Sequence, residues 1–140
     1  MATSLLSSDI QCRVSSVLNR DAKQFGKKHL LDGDVETSWN SDEGSPQWLL
    51  VEFPKPVRTA TLQLQFQGGF VGKGCWLEGS MKAEHFKKIM DFYPEDINAV
   101  QSFPVPGSPV LERLRVVFSS STDFFGRVVV YQFDMLGEVV

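Results

Sequence analysis

"RTATLQLQFQ", residues 58–67, alternates one residue at a time: Ala60, Leu62, Leu64 and Phe66 fall on one side, Thr61, Gln63, Gln65 and Gln67 on the other. Period two is the mark of a half-buried strand with one wet face. Upstream, "QWLLVEF" (47–53) reads as a second strand, and "PKPV" (54–57) as the turn between them, because two prolines deny both helix and ladder donors. Downstream, "FKKIMDFY" (86–93) and "VQSFPV" (100–105) read as strands around the turn-rich "PEDINA" (94–99). "ERLRVVF" (112–118) puts Leu114, Val116 and Phe118 on one face. "GRVVVYQFDML" (126–136) puts Val129, Tyr131, Phe133 and Met135 inward and Gln132 and Asp134 outward. "EGSMKAEHFKKIM" (78–90) suits at most a helical turn, and no long 3.6-period stretch exists. Six or more short strands with Gly, Pro, Asn and Asp between them predict an all-β, antiparallel sandwich.

The 140 residues suit one domain, with no repeat and no linker. Hydrophobic content of 42% and charged content of 22% are those of a globular chain. A net charge of −3 gives no global case for nucleic acid or anionic membrane, and no apolar run approaches membrane-spanning length. One local exception, "RDAKQFGKKH" (20–29), carries Arg20, Lys23, Lys27 and Lys28 and reads as a solvated loop. The start, "MATSLLSSDIQ", lacks a charged then apolar pattern, so a secretory signal is not expected. Cys12 and Cys75 form no CxxC pair, and nothing favours a disulfide between them; a reduced, intracellular setting is the expectation.

Several apparent sites fail on chemistry. Counted from Asp32, the residues Asp32, Asp34, Glu36, Ser38, Asn40 and Glu43 mimic a calcium loop, but the required glycine position holds Thr37 and a strand follows. "GGFVGKGCW" (68–76) lacks the first glycine and the Ser or Thr of a phosphate loop, so Gly68, Gly69, Gly72 and Gly74 read as a flexible loop after a strand. His29 and His85 lie near no nucleophile elbow, and Cys75 reads as a buried thiol. Asp32 and Asp34 have no second carboxylate cluster to face across a bond. An enzyme is therefore not expected. Among 11 Phe, Phe70, Phe124 and Phe125 stand beside turn residues, the last two next to Arg127, which is the equipment of a binding surface. The bland alternative is that they plug the end of the sandwich.

"RVSSVLNRDAKQFGKKHLLDGDVETSWNS" (13–41) resembles the opening of discoidin-type domains, the coagulation factor 5/8 C-terminal-like family, in its Asp-Gly-Asp-x-x-Thr-x-Trp core. "QWLLVEFPKPVRTATLQLQF" and "GRVVVYQFDMLGEVV" are similar to that family's middle and closing strands, so the resemblance covers most of 13–137. It implies a galactose-binding-like jelly roll. The stretches "RVSSVLNR", "QFGKKHL", "WNSD", "LQFQGGF", "DFYPED" and "TDFFGRVV" are similar to a small intracellular branch that associates with orphan nuclear receptors. That resemblance implies a nuclear, and secondarily cytoplasmic, non-enzymatic protein that restrains its receptor's DNA binding and transactivation. In the wider family the Asp-Gly-Asp turn often holds calcium. Carried over, the ligands are Asp32, Asp34 and Thr37, with carbonyls of Leu30 and Thr37, and the family's Glu on the closing strand falls on Gln132. Gln keeps an oxygen but loses a charge, which weakens a calcium site. No cofactor is required, and at most one structural calcium is expected.

These readings leave three functions to separate. The first is a protein-interaction module whose surface comprises Phe70, Trp76, Phe124, Phe125 and Arg127, with Asn40 and Asp42 alongside. The second is a glycan-binding module built on the same loops, less expected without a signal or terminal disulfide. The third is a structural adaptor subunit of a larger intracellular complex. A monomer is expected throughout.

Overall fold

The computed structural model describes residues 2–7, 9–32, 34 and 36–140 and places them in nine antiparallel strands with little helix. The strands are β1 (Thr3–Ser4), β2 (Gln11–Val14), β3 (Trp39–Asn40), β4 (Gln47–Phe66), β5 (Gly72–Ser80), β6 (Lys87–Phe92), β7 (Gln101–Pro104), β8 (Val110–Ser121) and β9 (Val129–Val139). Between β2 and β3 lie a 3-10 turn at Leu18–Arg20, the short helix α1 (Ala22–Phe25) and a second 3-10 turn at Lys27–Leu30.

The long strand β4 organises the two layers. Its first part, Gln47–Glu52, pairs with β2 on one side and β8 on the other, and β8 continues to β5 and β6. Its later part pairs with β9 and β7, and β9 carries β1 and β3. The inner faces meet as Phe66 of β4 sets its ring edge-on to Phe118 of β8 at 5.6 Å, and Trp39 reaches the same Phe118 at 6.3 Å. The alternation read from 58–67 holds from Leu62 onward, where Leu62, Leu64 and Phe66 are fully buried; before it, a register shift between Thr59 and Thr61 leaves Ala60 half-buried and buries Thr59 instead. So are Leu114, Val116 and Phe118 on β8. The architecture is the antiparallel jelly-roll β-sandwich expected.

Three local expectations are corrected. "PKPV" is not a turn, because β4 runs through it; its register with β8 shifts between Glu52 and Val57, so neither Pro54 nor Pro56 has to donate to that ladder. Tyr131 is only half-buried, because a register shift in β9 pairs Gln65 with Gln132 but Phe66 with Val130; Val130 takes the core position instead. Residues 82–84 form a turn between β5 and β6, not a helical one.

Gly137 sits in β9 between Thr3 of β1 and Thr59 of β4, where a Cβ would stand 2.0 Å from the Arg58 carbonyl oxygen. Gly137→Ala is expected to force the central ladder apart, at about 1–3 kcal/mol. Urea titration measures this, and an unchanged midpoint would contradict the close approach of β4 and β9.

Candidate functional site

The acidic turn before Trp39 is closed on itself. The Asp32 carboxylate accepts the Asp34 N–H at 2.9 Å, the Thr37 hydroxyl at 2.6 Å and a hydrogen bond with His29 Nδ1 at 3.2 Å. Asp34 Oδ1 accepts the Glu36 N–H at 2.9 Å. These are Asx-type turns, in which a short carboxylate replaces a backbone acceptor. Gly33, the middle residue of the Asp-Gly-Asp sequence, lies outside the described residues. The turn delivers Trp39 fully buried, with its indole N–H donating to the Ser16 carbonyl at 2.8 Å.

Of the expected calcium ligands, Leu30 and Gln132 come together on a groove of about 260 Å³ on the β4–β9 face, with Leu31, Gln63 and Val100. Asp32, Asp34 and Thr37 do not line it. Among the described residues no three His, Cys, Asp or Glu side chains gather as a metal-holding cluster. Asp32 already accepts the Asp34 N–H, the Thr37 hydroxyl and a bond with His29, so the described part of the turn is satisfied without a cation.

Burial pushes the Asp32 carboxyl up, but the Thr37 hydroxyl, the Asp34 N–H and His29 outweigh it and hold it below the ordinary carboxylate value. A lowered folded value contributes stability above the unfolded value, which is lost as pH falls through the folded one. The stability gap between wild type and Asp32→Asn, which removes the charge and keeps one of the two acceptor oxygens, should therefore narrow below about pH 4. Thermal melts in acid check it; parallel curves would contradict it. In the same assay, millimolar calcium should leave the melting temperature unchanged.

At one end of the sandwich three loops are knitted together. The 41–46 loop meets the β8–β9 loop through Gly44 N–H to Phe125 O at 2.8 Å, and through Ser41 N–H to Val128 O and Val128 N–H to Ser41 Oγ, both at 2.9 Å. The 67–71 loop joins through Thr122 N–H to Val71 O at 2.9 Å and Val129 N–H to Phe70 O at 3.1 Å. Beneath them, buried Gln47 accepts the Ser15 and Ser16 hydroxyls at 2.5 and 2.7 Å and donates to the Asp42 and Gly44 carbonyls at 3.1 and 2.9 Å. Gln47, Ser15 and Ser16 were not singled out in the sequence. The available signal was a glutamine at the head of the inward series Gln47, Leu49, Val51, Phe53.

On this frame Phe124 is 92% exposed and Phe125 53% exposed, their rings edge-to-face at 5.3 Å. Arg127 lies against Phe125: Nε donates to Asp123 Oδ2 at 2.9 Å, and its guanidinium lies 5.3 Å from the Phe70 ring and 5.6 Å from the Phe125 ring. The Arg127 side-chain hydrogen bond holds the Asp123 carboxyl below its ordinary value. Asn40, Gln67, Phe70 and Arg127 share a cleft of about 170 Å³. Asp42 caps its own loop through the Glu43 N–H at 3.0 Å.

Trp76 does not join this cluster. Gly72 and Gly74 belong to β5 rather than to a loop, and Trp76 lies mid-strand, paired with Val117 and Asp91. Its indole N–H donates to Glu78 at 3.1 Å, and Lys88 Nζ stands 5.1 Å from its ring. Gly72 is required there, since a Cβ would come within 2.5 Å of Phe118. Both cysteines are free and buried. Burial pushes the Cys75 thiol up to about 12 and, against the field of Lys27, the Cys12 thiol to about 11, so neither is poised as a thiolate.

A two-layer jelly roll with three loops knitted together at one end is the frame of a binding module, and the chain belongs to the F5/8 type C domain family, whose description matches residues 11–127. It is similar over nearly its whole length to proteins named nuclear receptor 2C2-associated protein. The Danio rerio protein is 58% identical over 138 residues, 99% of this chain and 98% of that one. The Homo sapiens protein is 54% identical over 140 residues, all of both chains. Among solved structures, the family 32 carbohydrate-binding module of C. perfringens NanJ in complex with galactose shares the fold, with a TM-score of 0.82 at 14% identity over 97% of this chain and 99% of that one.

Proposed function

We propose that this protein is a non-enzymatic, nuclear interaction module that associates as a monomer with an orphan nuclear receptor of the 2C2 kind and restrains its DNA binding and transactivation. The full-length likeness to proteins named for that association supports the partner class. The observation that carries the surface is the exposed aromatic pair Phe124–Phe125, set edge to face, with Arg127, held by Asp123, against Phe125. Pre-ordered aromatic side chains beside an Arg give up little conformational freedom on binding, which is what interface hot spots require. Titrating the protein into a purified receptor–DNA complex should weaken the receptor's hold on DNA. Unchanged DNA affinity at saturating protein would sink the restraint.

A glycan-binding reading is favoured by the small cleft, which sets Phe70 beside Asn40, Gln67 and Arg127. It ranks second because the Arg127 guanidinium already lies over the Phe70 ring, the platform a sugar would need. A glycan array should show no hits. Co-purification under mild conditions distinguishes a dedicated receptor partner from an adaptor role in a larger assembly.

A further inference from the structure

We propose a second binding face, formed by β2, the 18–30 turns and Trp48, that docks an acidic peptide segment carrying apolar side chains. Residues 13–28 hold five of the 14 cations, Arg13, Arg20, Lys23, Lys27 and Lys28, but only one of the 17 carboxylates, Asp21. That carboxylate is committed to capping α1, accepting the Gln24 N–H at 3.1 Å. All five cations are exposed, and among the described residues none has a carboxylate partner.

Three of these cations, Arg13, Lys27 and Lys28, line shallow concave ground. Two shallow grooves, of about 440 and 430 Å³, adjoin where both are lined by Arg13 and Lys27. Val14, Val17, Ala22 and Trp48 supply the apolar floor of the second groove. Trp48 differs from the other two tryptophans. Trp39 and Trp76 have their indole N–H groups bonded, whereas that of Trp48 has no partner among the described residues. Since none of the buried side-chain polar atoms among those residues goes unpaired, this donor faces solvent.

Unpaired cations around an apolar hollow with one free donor complement a chain offering carboxylates, an aliphatic or aromatic side chain and a backbone carbonyl. Nucleic acid suits the face less well. A duplex is too rigid to enter the hollow, a single strand needs exposed stacking rings, and the chain as a whole is at −3. A membrane surface is met by protruding apolar side chains, whereas here the apolar atoms form a recessed floor.

The test uses the full chain and fluorescence anisotropy of a short labelled peptide rich in Glu with interspersed Leu and Phe. Parallel probes are its Glu→Gln copy, polyglutamate, duplex DNA and phosphatidylserine vesicles. The Glu peptide should bind about tenfold or more tightly than its Gln copy and than polyglutamate, with affinity falling as salt rises. Arg13→Glu with Lys27→Glu should abolish that preference, and Trp48→Phe should weaken binding with the melting temperature unchanged. If the charge reversals unfold the chain, Lys27→Gln with Lys28→Gln should still reduce affinity severalfold. Equal binding of Glu and Gln peptides, equal binding of polyglutamate, or binding confined to DNA or vesicles would overturn the proposal.

Discussion

Trp39→Ala is expected to destabilise the domain by about 3–5 kcal/mol, the range for deleting a large buried aromatic side chain. For a chain of this size that corresponds to a fall in melting temperature on the order of 10–20 °C. Two losses combine. The ring is fully buried against Phe118 between the layers, so its removal opens a cavity the strands cannot close. Its N–H also meets the Ser16 carbonyl, fastening the short β3 to the segment leaving β2, and alanine leaves that carbonyl unpaired. Trp39→Phe separates the two, retaining most of the packing and losing the hydrogen bond. It should cost about 1–3 kcal/mol. Urea denaturation of both variants measures the difference, and an equal loss in the two would contradict the assignment.

Removing the exposed aromatic pair should do the opposite, sparing the fold and destroying the association. Phe124→Ala with Phe125→Ala is expected to weaken receptor binding by about 100-fold, since hot-spot aromatic residues contribute about 2–4 kcal/mol. The melting temperature should change little, because Phe124 is 92% exposed and the β8–β9 loop is held by backbone bonds through Gly44, Ser41 and Thr122. Binding titration with the purified receptor checks this, with circular dichroism to confirm the fold. Wild-type affinity in a folded double variant would remove these side chains from the interface.

The sandwich was legible wherever burial alone dictates the pattern. Leu114, Val116 and Phe118 on β8 and Leu62, Leu64 and Phe66 on β4 recur every second residue because one face of each meets the opposite layer. It was obscured where backbone pairing, rather than side-chain pattern, decides. Pro54 and Pro56 read as a break, yet they fall where β4 slips past β8 and needs no donors there. Tyr131 follows the alternation on paper, but the bulge beside it advances Val130 into the core. The site divides in the same way. Phe70, Phe124, Phe125 and Arg127 were identifiable as aromatic and cationic residues beside turns, and the structure brings them together. Trp76 was grouped with them because the glycines before it suggested a loop, while Gly72 is there to let Phe118 approach. Gln47 escaped notice because its partners, Ser15, Ser16, Asp42 and Gly44, come from two other segments of the chain.

The central claim is that the receptor is engaged by the loop end braced by Arg127. Hydrogen exchange of the protein, free and in complex with the receptor, tests it most directly, because it reports where backbone amides are covered. The account predicts added protection in residues 122–127, with smaller effects in 41–46 and 67–71. Unchanged exchange in those three loops in a saturated complex would contradict it.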